Sequence, residues 1–329
     1  MITIDINLES EDTLMSKIAF VFPGQGSQYV GMCKAFYDQY PVARQLFEEA
    51  DDALGFSLTK LCFEGPEAEL RLTYNTQPAI LTASTICAEI LKQHGAVADI
   101  AAGHSLGEYS ALVNAGAMKF ADAVRIVRQR GQFMQEAVPV GEGSMSAVMG
   151  LANETIVELC QKVEAETGLP VQAVNFNCPG QVVIAGATAA VEKANEEMKA
   201  AGAKRCIVLH VSAPFHSTMM QPASERLAEV LAPIEIKDAA FPVVANVTAE
   251  EVVSGALIKE LLVKQAAMPV LWETSVRNMV ANGVDTFVEV GPSKVLTGFT
   301  KKIAKGVPAL FVEDPASLEK TLEHLQEGK

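Results

Sequence analysis

The sequence predicts an α/β protein: a parallel sheet covered by helices on both faces, with a smaller ferredoxin-like unit inserted into it. Three observations predict this. Short apolar runs alternate with segments whose apolar residues recur every three or four positions, the pattern of strands alternating with helices. Over about 143–211 the rhythm changes to β-α-β-β-α-β, the order of a ferredoxin-like unit. The first rhythm then resumes. The chain has 329 residues, 49% of them hydrophobic, enough for one large domain carrying a smaller one. The boundaries read as a polar extension over 1–16, a large domain over 17–140 and 212–329, and the insertion over 141–211.

Each element has its own signal. "KIAFVFPGQGSQ" (17–28) is a buried strand feeding a Gly-rich turn. Residues 32–54 and 76–94 carry helical spacing. "ADIAAGHS" (98–105) is the next strand, and "LGEYSALVNAGA" the helix that follows at once. "FADAVRIVRQRGQFMQEA" (120–137) is a further helix. In the insertion, 143–150, 171–177, 181–187 and 204–211 read as strands and 153–166 and 189–202 as helices. The middle two strands are joined by the turn signal Cys178-Pro179-Gly180. A helix near 218–231, strands over 241–247 and 286–292, a helix containing Trp272 and a C-terminal tail that reads as a polar helix or a frayed end complete the pattern.

Composition excludes several function classes. Twenty-six Lys and Arg against 40 Asp and Glu leave a formal charge of −14, which disfavours nucleic acid and anionic membranes as general partners. No apolar stretch is long enough to span a membrane, and the first residues lack the pattern of a secretory signal. The six cysteines are scattered and never spaced C-x-x-C, which reads as reduced thiols in a cytoplasmic protein. The five histidines do not pair at metal-ligand spacing, so no metal is expected.

The chemistry concentrates in Gly103-His104-Ser105-Leu106-Gly107, a G-x-S-x-G run between a strand and a helix. In that context it fits a nucleophile elbow and an α/β-hydrolase-like large domain. Glycines flank the serine because the tight turn leaves no room for side chains. The hydroxyl is pushed out at the carboxyl edge of the sheet, at a helix N-terminus that favours developing negative charge.

A serine needs a base. His324 lies in the polar tail, and His94 at a helix end before Gly95. His210 ends a strand and reads as packing. His104 adjoins Ser105 but points the other way by strand alternation. His216, in the loop "VSAPFHSTMM", remains. Its simplest alternative is a helix cap. The glycines of GQGSQ match neither G-x-G-x-x-G nor a Walker A loop, so they do not read as a phosphate cradle.

Six motifs occur together in order: "FVFPGQGSQ", "GHSLGEYSALVNAG", "RQRGQFMQEA", "NFNCPGQVVIAG", "VSAPFHS" and "EVGPSKVLTGFTKK". Over about 17–310 the chain thus resembles the malonyl-CoA:acyl-carrier-protein transacylases, and it is similar to the acyltransferase domains of polyketide synthases. The resemblance implies Ser105 as nucleophile and His216 as its base, in a dyad oriented by the backbone carbonyl of Gln265. It implies the N–H groups of Gln25 and Leu106 as the oxyanion hole and Arg130 as the holder of the malonyl carboxylate. His104, Phe215, Asn175 and Asn177 are implied to line the substrate pocket. Phe215 goes with malonyl over methylmalonyl selectivity in related enzymes.

The partners implied are malonyl-CoA and an acyl carrier protein bearing phosphopantetheine. No cofactor of the enzyme itself is implied, and the family's usual form is a monomer. Physics supports an arginine: a buried carboxylate needs pairing, and a guanidinium fits it two-pronged. The residues alone do not choose among Arg125, Arg128 and Arg130, all on one helix. Carrier proteins are acidic, so docking on this acidic chain needs a local basic patch. Lys204, Arg205, Lys301 and Lys302 are candidates. A thioester hydrolase on the same fold, a trans-acting polyketide acyltransferase and a non-enzymatic scaffold are the alternative readings.

Overall fold

The computed structural model describes residues 16–209, 211 and 213–327. The polar N-terminal stretch up to residue 15 and His210 lie outside them. Among the described residues ten strands form two sheets: β1 (Ile18–Phe22), β2 (Ile100–Gly103), β3 (Gly143–Met149), β4 (Val171–Cys178), β5 (Gln181–Ala187), β6 (Arg205–Val208), β7 (Val243–Val244), β8 (Glu251–Val252), β9 (Thr286–Val290) and β10 (Ala309–Val312). The larger sheet has the order β10-β9-β1-β2-β7-β8. It is parallel from β10 to β7, and β8 closes it as an antiparallel edge.

The central strands IAFVF and IAAG are buried along nearly their whole length, as expected of a sheet with helices on both faces. Alternation sends Phe20 and Phe22 to one core and Ala19 and Val21 to the other. Phe22 is in register with Gly103, so the loops after β1 and β2 leave the same carboxyl edge side by side. Open α/β sheets place their sites at that edge.

The small sheet has the order β4-β5-β3-β6 and is antiparallel throughout, which is the ferredoxin-like arrangement expected from the β-α-β-β-α-β order. Helices Asn153–Thr167 and Thr188–Ala200 cover one face, packing Ile156, Val163, Val191 and Met198 on Val148, Val182 and Ile184. The alternate residues Met145, Ala147, Val183 and Ala185 join the main core instead. A backbone bridge ties β4 to the larger body: Phe176 N–H donates to Val270 O at 3.0 Å, and Val270 N–H to Val174 O at 2.8 Å.

Several boundaries differ from the sequence reading. The expected helix over 32–54 is two, Lys34–Gln39 and Pro41–Leu54. Pro41 forces Tyr40 into extended backbone (φ −113°, ψ 123°), and the chain restarts with proline at the first helical position. The expected strand over 241–247 pairs only at Val243–Val244. The strand expected over 204–211 ends at Val208.

Helices Leu58–Glu64, Glu67–Leu70, Gly255–Gln265 and Val295–Ile303, with β8 and β10, stand beyond the elements expected from the sequence. They are short, and tertiary contacts complete them. The buried Glu289 carboxylate, for example, accepts the Leu296 and Thr297 N–H groups at 3.1 and 2.6 Å, capping the nine-residue helix Val295–Ile303.

Candidate active site

The site forms where the loop after β2 turns into helix Gly107–Asn114. A Cβ on Gly103 would stand 1.9 Å from the Gly107 carbonyl carbon, and one on Gly107 2.0 Å from Phe22 O. Only glycine allows the turn to close against itself and against the end of β1. Ser105 pays for that tightness with a left-handed backbone, φ 52°. Asn246, just beyond β7, holds it there: Oδ1 accepts Ser105 N–H at 2.7 Å, and Nδ2 donates to Gly103 O at 2.6 Å.

His216 meets the serine from the opposite wall, also with positive φ, 64°. Its Nε2 lies 2.7 Å from Ser105 Oγ, and its Nδ1 lies 2.8 Å from the Gln265 backbone carbonyl. A carbonyl can only accept, so Nδ1 carries the proton and Nε2 is left free to take the one on Ser105. Burial, then the nearby Arg130 charge, holds the imidazole down, to about 3. It is therefore neutral, the form a base needs. The sequence expectation of His216 as a helix cap or a base resolves in favour of contact with Ser105.

Arg130 is the arginine that reaches the site. It is 1% exposed in helix Phe120–Glu136. Its Nη2 donates to Ser105 Oγ at 3.1 Å and to Gln265 Oε1 at 2.8 Å, and its Nη1 to Gln77 Oε1 at 2.8 Å. Its face lies over the Tyr109 ring, 5.5 Å from the centroid. Arg125 stays on the surface beside Asp122, and Arg128 is half-buried against Tyr74 O and the rings of Phe56 and Tyr74. No carboxylate forms an ion pair with Arg130 among the described residues, and its buried Nε has no hydrogen-bond partner.

A cleft of about 110 Å³ opens over these groups. Gln25, His104, Leu106, Asn175, Phe215 and Met145 are among the residues lining it, together with Ser105, Arg130 and His216. His104 thus faces the same cleft as Ser105, a correction to the expectation from strand alternation. β2 ends at Gly103, so His104 belongs to the turn and its direction is set there. Its Nε2 lies 2.8 Å from Asn177 Oδ1, and burial holds its imidazole below the usual range.

The Gln25 side chain is drawn to Thr73 Oγ1 at 3.3 Å, and the preceding Gly24 packs against the elbow, where a Cβ would stand 2.4 Å from His104 O. Among the described residues neither the Gln25 nor the Leu106 N–H has a hydrogen-bond partner. Leu106 precedes the first turn of helix Gly107–Asn114, where N–H groups are free by construction. Free N–H groups on residues that line the cleft can receive an oxyanion. His94 and His324 lie elsewhere, His94 edge-on to Tyr40 and His324 in the C-terminal helix.

Sequence reasoning missed three residues. Asn246 fixes the elbow, Gln77 holds the guanidinium, and Glu108 is 4% exposed and accepts Gln265 Nε2 at 2.7 Å and Asn246 N–H at 3.1 Å on the same oxygen. A signal existed only for Glu108, an acid in the first turn of a helix whose other first residues are small or apolar.

Among the described residues no cluster of His, Cys, Asp or Glu could hold a metal ion, and no helix is long and apolar enough to cross a membrane.

An α/β sheet with a strained serine at the elbow, a neutral histidine on its hydroxyl and a ferredoxin-like unit over it is suited to acyl transfer. Comparison with known proteins agrees. Residues 19–315 match the acyl transferase domain family. The malonyl CoA-acyl carrier protein transacylase of Bacillus subtilis (strain 168) is 52% identical over 95% of this chain and 98% of its own length. That of Escherichia coli (strain K12) is 49% identical over 94% of this chain and all of its own. The crystal structure of an acyl-carrier-protein S-malonyltransferase from Burkholderia pseudomallei superposes with a TM-score of 0.91, at 50% identity, covering 93% of this chain and 99% of that one. A malonyl-transacylase solved in complex with its type II polyketide acyl-carrier protein superposes equally well at 47% identity, covering 94% of this chain and all of that one. The chain belongs to the acyl transferase domain family and, within it, to the malonyl-CoA:acyl-carrier-protein transacylases.

Proposed function

We propose that this protein moves a malonyl group from malonyl-CoA to the phosphopantetheine thiol of an acyl carrier protein, through a malonyl ester on Ser105, supplying extender units for fatty acid or polyketide synthesis. One observation carries the reading: a buried guanidinium without a carboxylate partner stands 3.1 Å from a serine hydroxyl that a neutral histidine also contacts. A nucleophile beside an unpaired cation suits an acyl group that ends in a carboxylate. Names and structures of the relatives support the same substrate pair.

In the first half-reaction His216 Nε2 takes the Ser105 proton as Oγ attacks the malonyl thioester carbonyl. The oxyanion forms against the Gln25 and Leu106 N–H groups. Collapse breaks the carbon–sulfur bond, and His216 returns the proton to the departing coenzyme A thiolate. In the second half-reaction the carrier thiol loses its proton to His216 and attacks the acyl-serine, and Ser105 leaves with the proton. The Gln265 carbonyl keeps the imidazole in the needed tautomer throughout, in place of an acid.

Arg130 pairs with the free malonyl carboxylate. Phe215, with Asn175 and His104, walls the pocket and crowds a 2-methyl branch, while Asn177 lies outside the lining and contacts His104 Nε2. No cofactor of the enzyme takes part, and the cytoplasm is the expected compartment. The insertion over 141–211, set in a large domain over 17–140 and 212–329, roofs the cleft. Lys204, Arg205, Lys301 and Lys302 are exposed and offer positive charge to an acidic carrier.

The test is intact-protein mass measurement after incubation with malonyl-CoA, acetyl-CoA or methylmalonyl-CoA, followed by addition of carrier protein. Wild type should gain one malonyl group and lose it to the carrier; S105A should gain none. Release of free coenzyme A and malonate without transfer to the carrier would refute the transferase assignment.

A further inference from the structure

Two charged side chains are buried together behind Ser105, Arg130 at 1% and Glu108 at 4% exposure. The amide of Gln265 lies between them. Its Nε2 donates to Glu108 Oε2 at 2.7 Å, and its Oε1 accepts from Arg130 Nη2 at 2.8 Å. The amide dipole is thus aligned with both charges, N–H toward the anion and C=O toward the cation. Two residues that touch the dyad also belong to this chain of contacts: Asn246 N–H donates to Glu108, and the Gln265 backbone carbonyl accepts from His216. In the free protein above about pH 7 the buried cluster holds one cation and one anion.

A carboxylate seated on Arg130 would bring a second anion to a cluster with one cation. Two carboxylates beside one guanidinium in a desolvated interior do not both stay ionised. The incoming carboxylate can sit directly on the guanidinium. Glu108 is separated from it by an amide and is the one to be neutralised.

We propose that Glu108 is a positioning residue that couples occupancy of Arg130 to proton uptake: a substrate carboxylate binds Arg130 as Glu108 takes one proton from solvent through its carboxyl oxygen. This rests on the transferase reading above. Burial already holds the Glu108 carboxyl high, at about 7, against the lowering by its hydrogen bonds and Arg130.

The other groups that act on it are few. Helix Phe120–Glu136 contributes Arg130, helix Gly255–Gln265 contributes Gln265, and the loop after β7 contributes Asn246. Tyr109, next along its own helix, stays neutral because burial pushes its phenol well up. His216 and His104 across the site are held down and neutral. β1, β2 and β7 beneath carry no titratable residue.

The sign follows. Below about pH 7 Glu108 is protonated in the free protein, so binding takes up nothing and affinity is flat. Above it, binding takes up a proton, and affinity for a carboxylate-bearing acyl-CoA falls by up to about tenfold per pH unit.

The experiment titrates S105A, which cannot be acylated, with malonyl-CoA and with acetyl-CoA, which has the same phosphates and no free carboxylate. Calorimetry in two buffers of different ionisation enthalpy counts the protons. At pH 8 malonyl-CoA should take up most of one proton more than acetyl-CoA, and at pH 6 no more. In parallel, the KM of otherwise wild-type enzyme for malonyl-CoA should rise above pH 7, and that of E108Q should stay flat. A malonyl–acetyl difference of zero at pH 8, or an E108Q KM that still climbs as in wild type, overturns the proposal. If wild type is acylated by malonyl-CoA but S105A shows no proton difference, the linkage alone falls. If it is not acylated at all, the transferase reading falls and this inference with it.

Discussion

Replacing Arg130 tests the substrate reading most directly. R130A removes three hydrogen bonds, to Ser105 Oγ, Gln265 and Gln77, and the one cation of the cluster. For malonyl-CoA it removes the partner of a carboxylate that must be desolvated in the cleft. Truncating one partner of a buried, hydrogen-bonded charge pair costs about 2–5 kcal/mol. Taking about 3–4 kcal/mol, kcat/KM for malonyl loading should fall by about 10²–10³. Acetyl-CoA has nothing to place on the guanidinium, so its loading should fall far less, and the ratio of the two should drop by about 10² or more. R130K should recover only part, since an ammonium is a point charge without the planar fork. The assay is single-turnover loading of both thioesters by rapid quench and intact mass, with a thermal melt to show that the variant is folded. Equal losses for both substrates would mean that Arg130 serves the fold or the serine and reads no carboxylate.

Five further outcomes follow from the geometry. H216A should lose about 10²–10⁴ in loading rate while keeping its fold, the usual contribution of a general base, measured in the same quench assay. Because His216 is neutral down to about 3, the wild-type loading rate should hold as pH falls to about 5. A profile that titrates near 6.5 would contradict the burial argument.

The same depressed value makes the unfolded state bind more protons between about 3 and 6.5, so His216 lowers stability as pH falls through that window. Comparing the melts of wild type and H216A at pH 5 and 7 measures it, and the wild type should lose relative stability at pH 5. N246A leaves Ser105 N–H and Gly103 O without their partner in a buried turn. It should cost about 2–4 kcal/mol in denaturant unfolding, and the loading rate should drop with it. G107A must push a methyl into Phe22 O and should lower the melting point by far more than a surface G168A.

The sequence by itself determined much of this protein. Period-two and period-3.6 patterns are local, so the buried strands IAFVF and IAAG, the long helices and the β-α-β-β-α-β insertion were legible before any contact was known. So was the serine, because the elbow is encoded by five consecutive residues whose glycines answer a local steric demand. His216 could be isolated because the other four histidines each had a local explanation, and the ordered motifs named a family that the comparisons confirm.

The tertiary structure decided the rest. Three arginines on one helix are equivalent in sequence. Only the packing of helix Phe120–Glu136 on helix Thr73–Gln93, which supplies Gln77, turns Arg130 inward and leaves Arg125 in solvent. His104 faces the cleft because the strand stops one residue before it, a stop fixed by the closure of Gly103 on Gly107. Glu108, Gln265 and Asn246 lie more than 100 residues apart in two of their three pairings, and each is an ordinary polar residue in its own segment. They become a network because burial removes water as a partner, and each buried donor and acceptor must find another across the fold. A hydrogen-bond network of that kind has no period and no motif, so it exists only once the chain has folded.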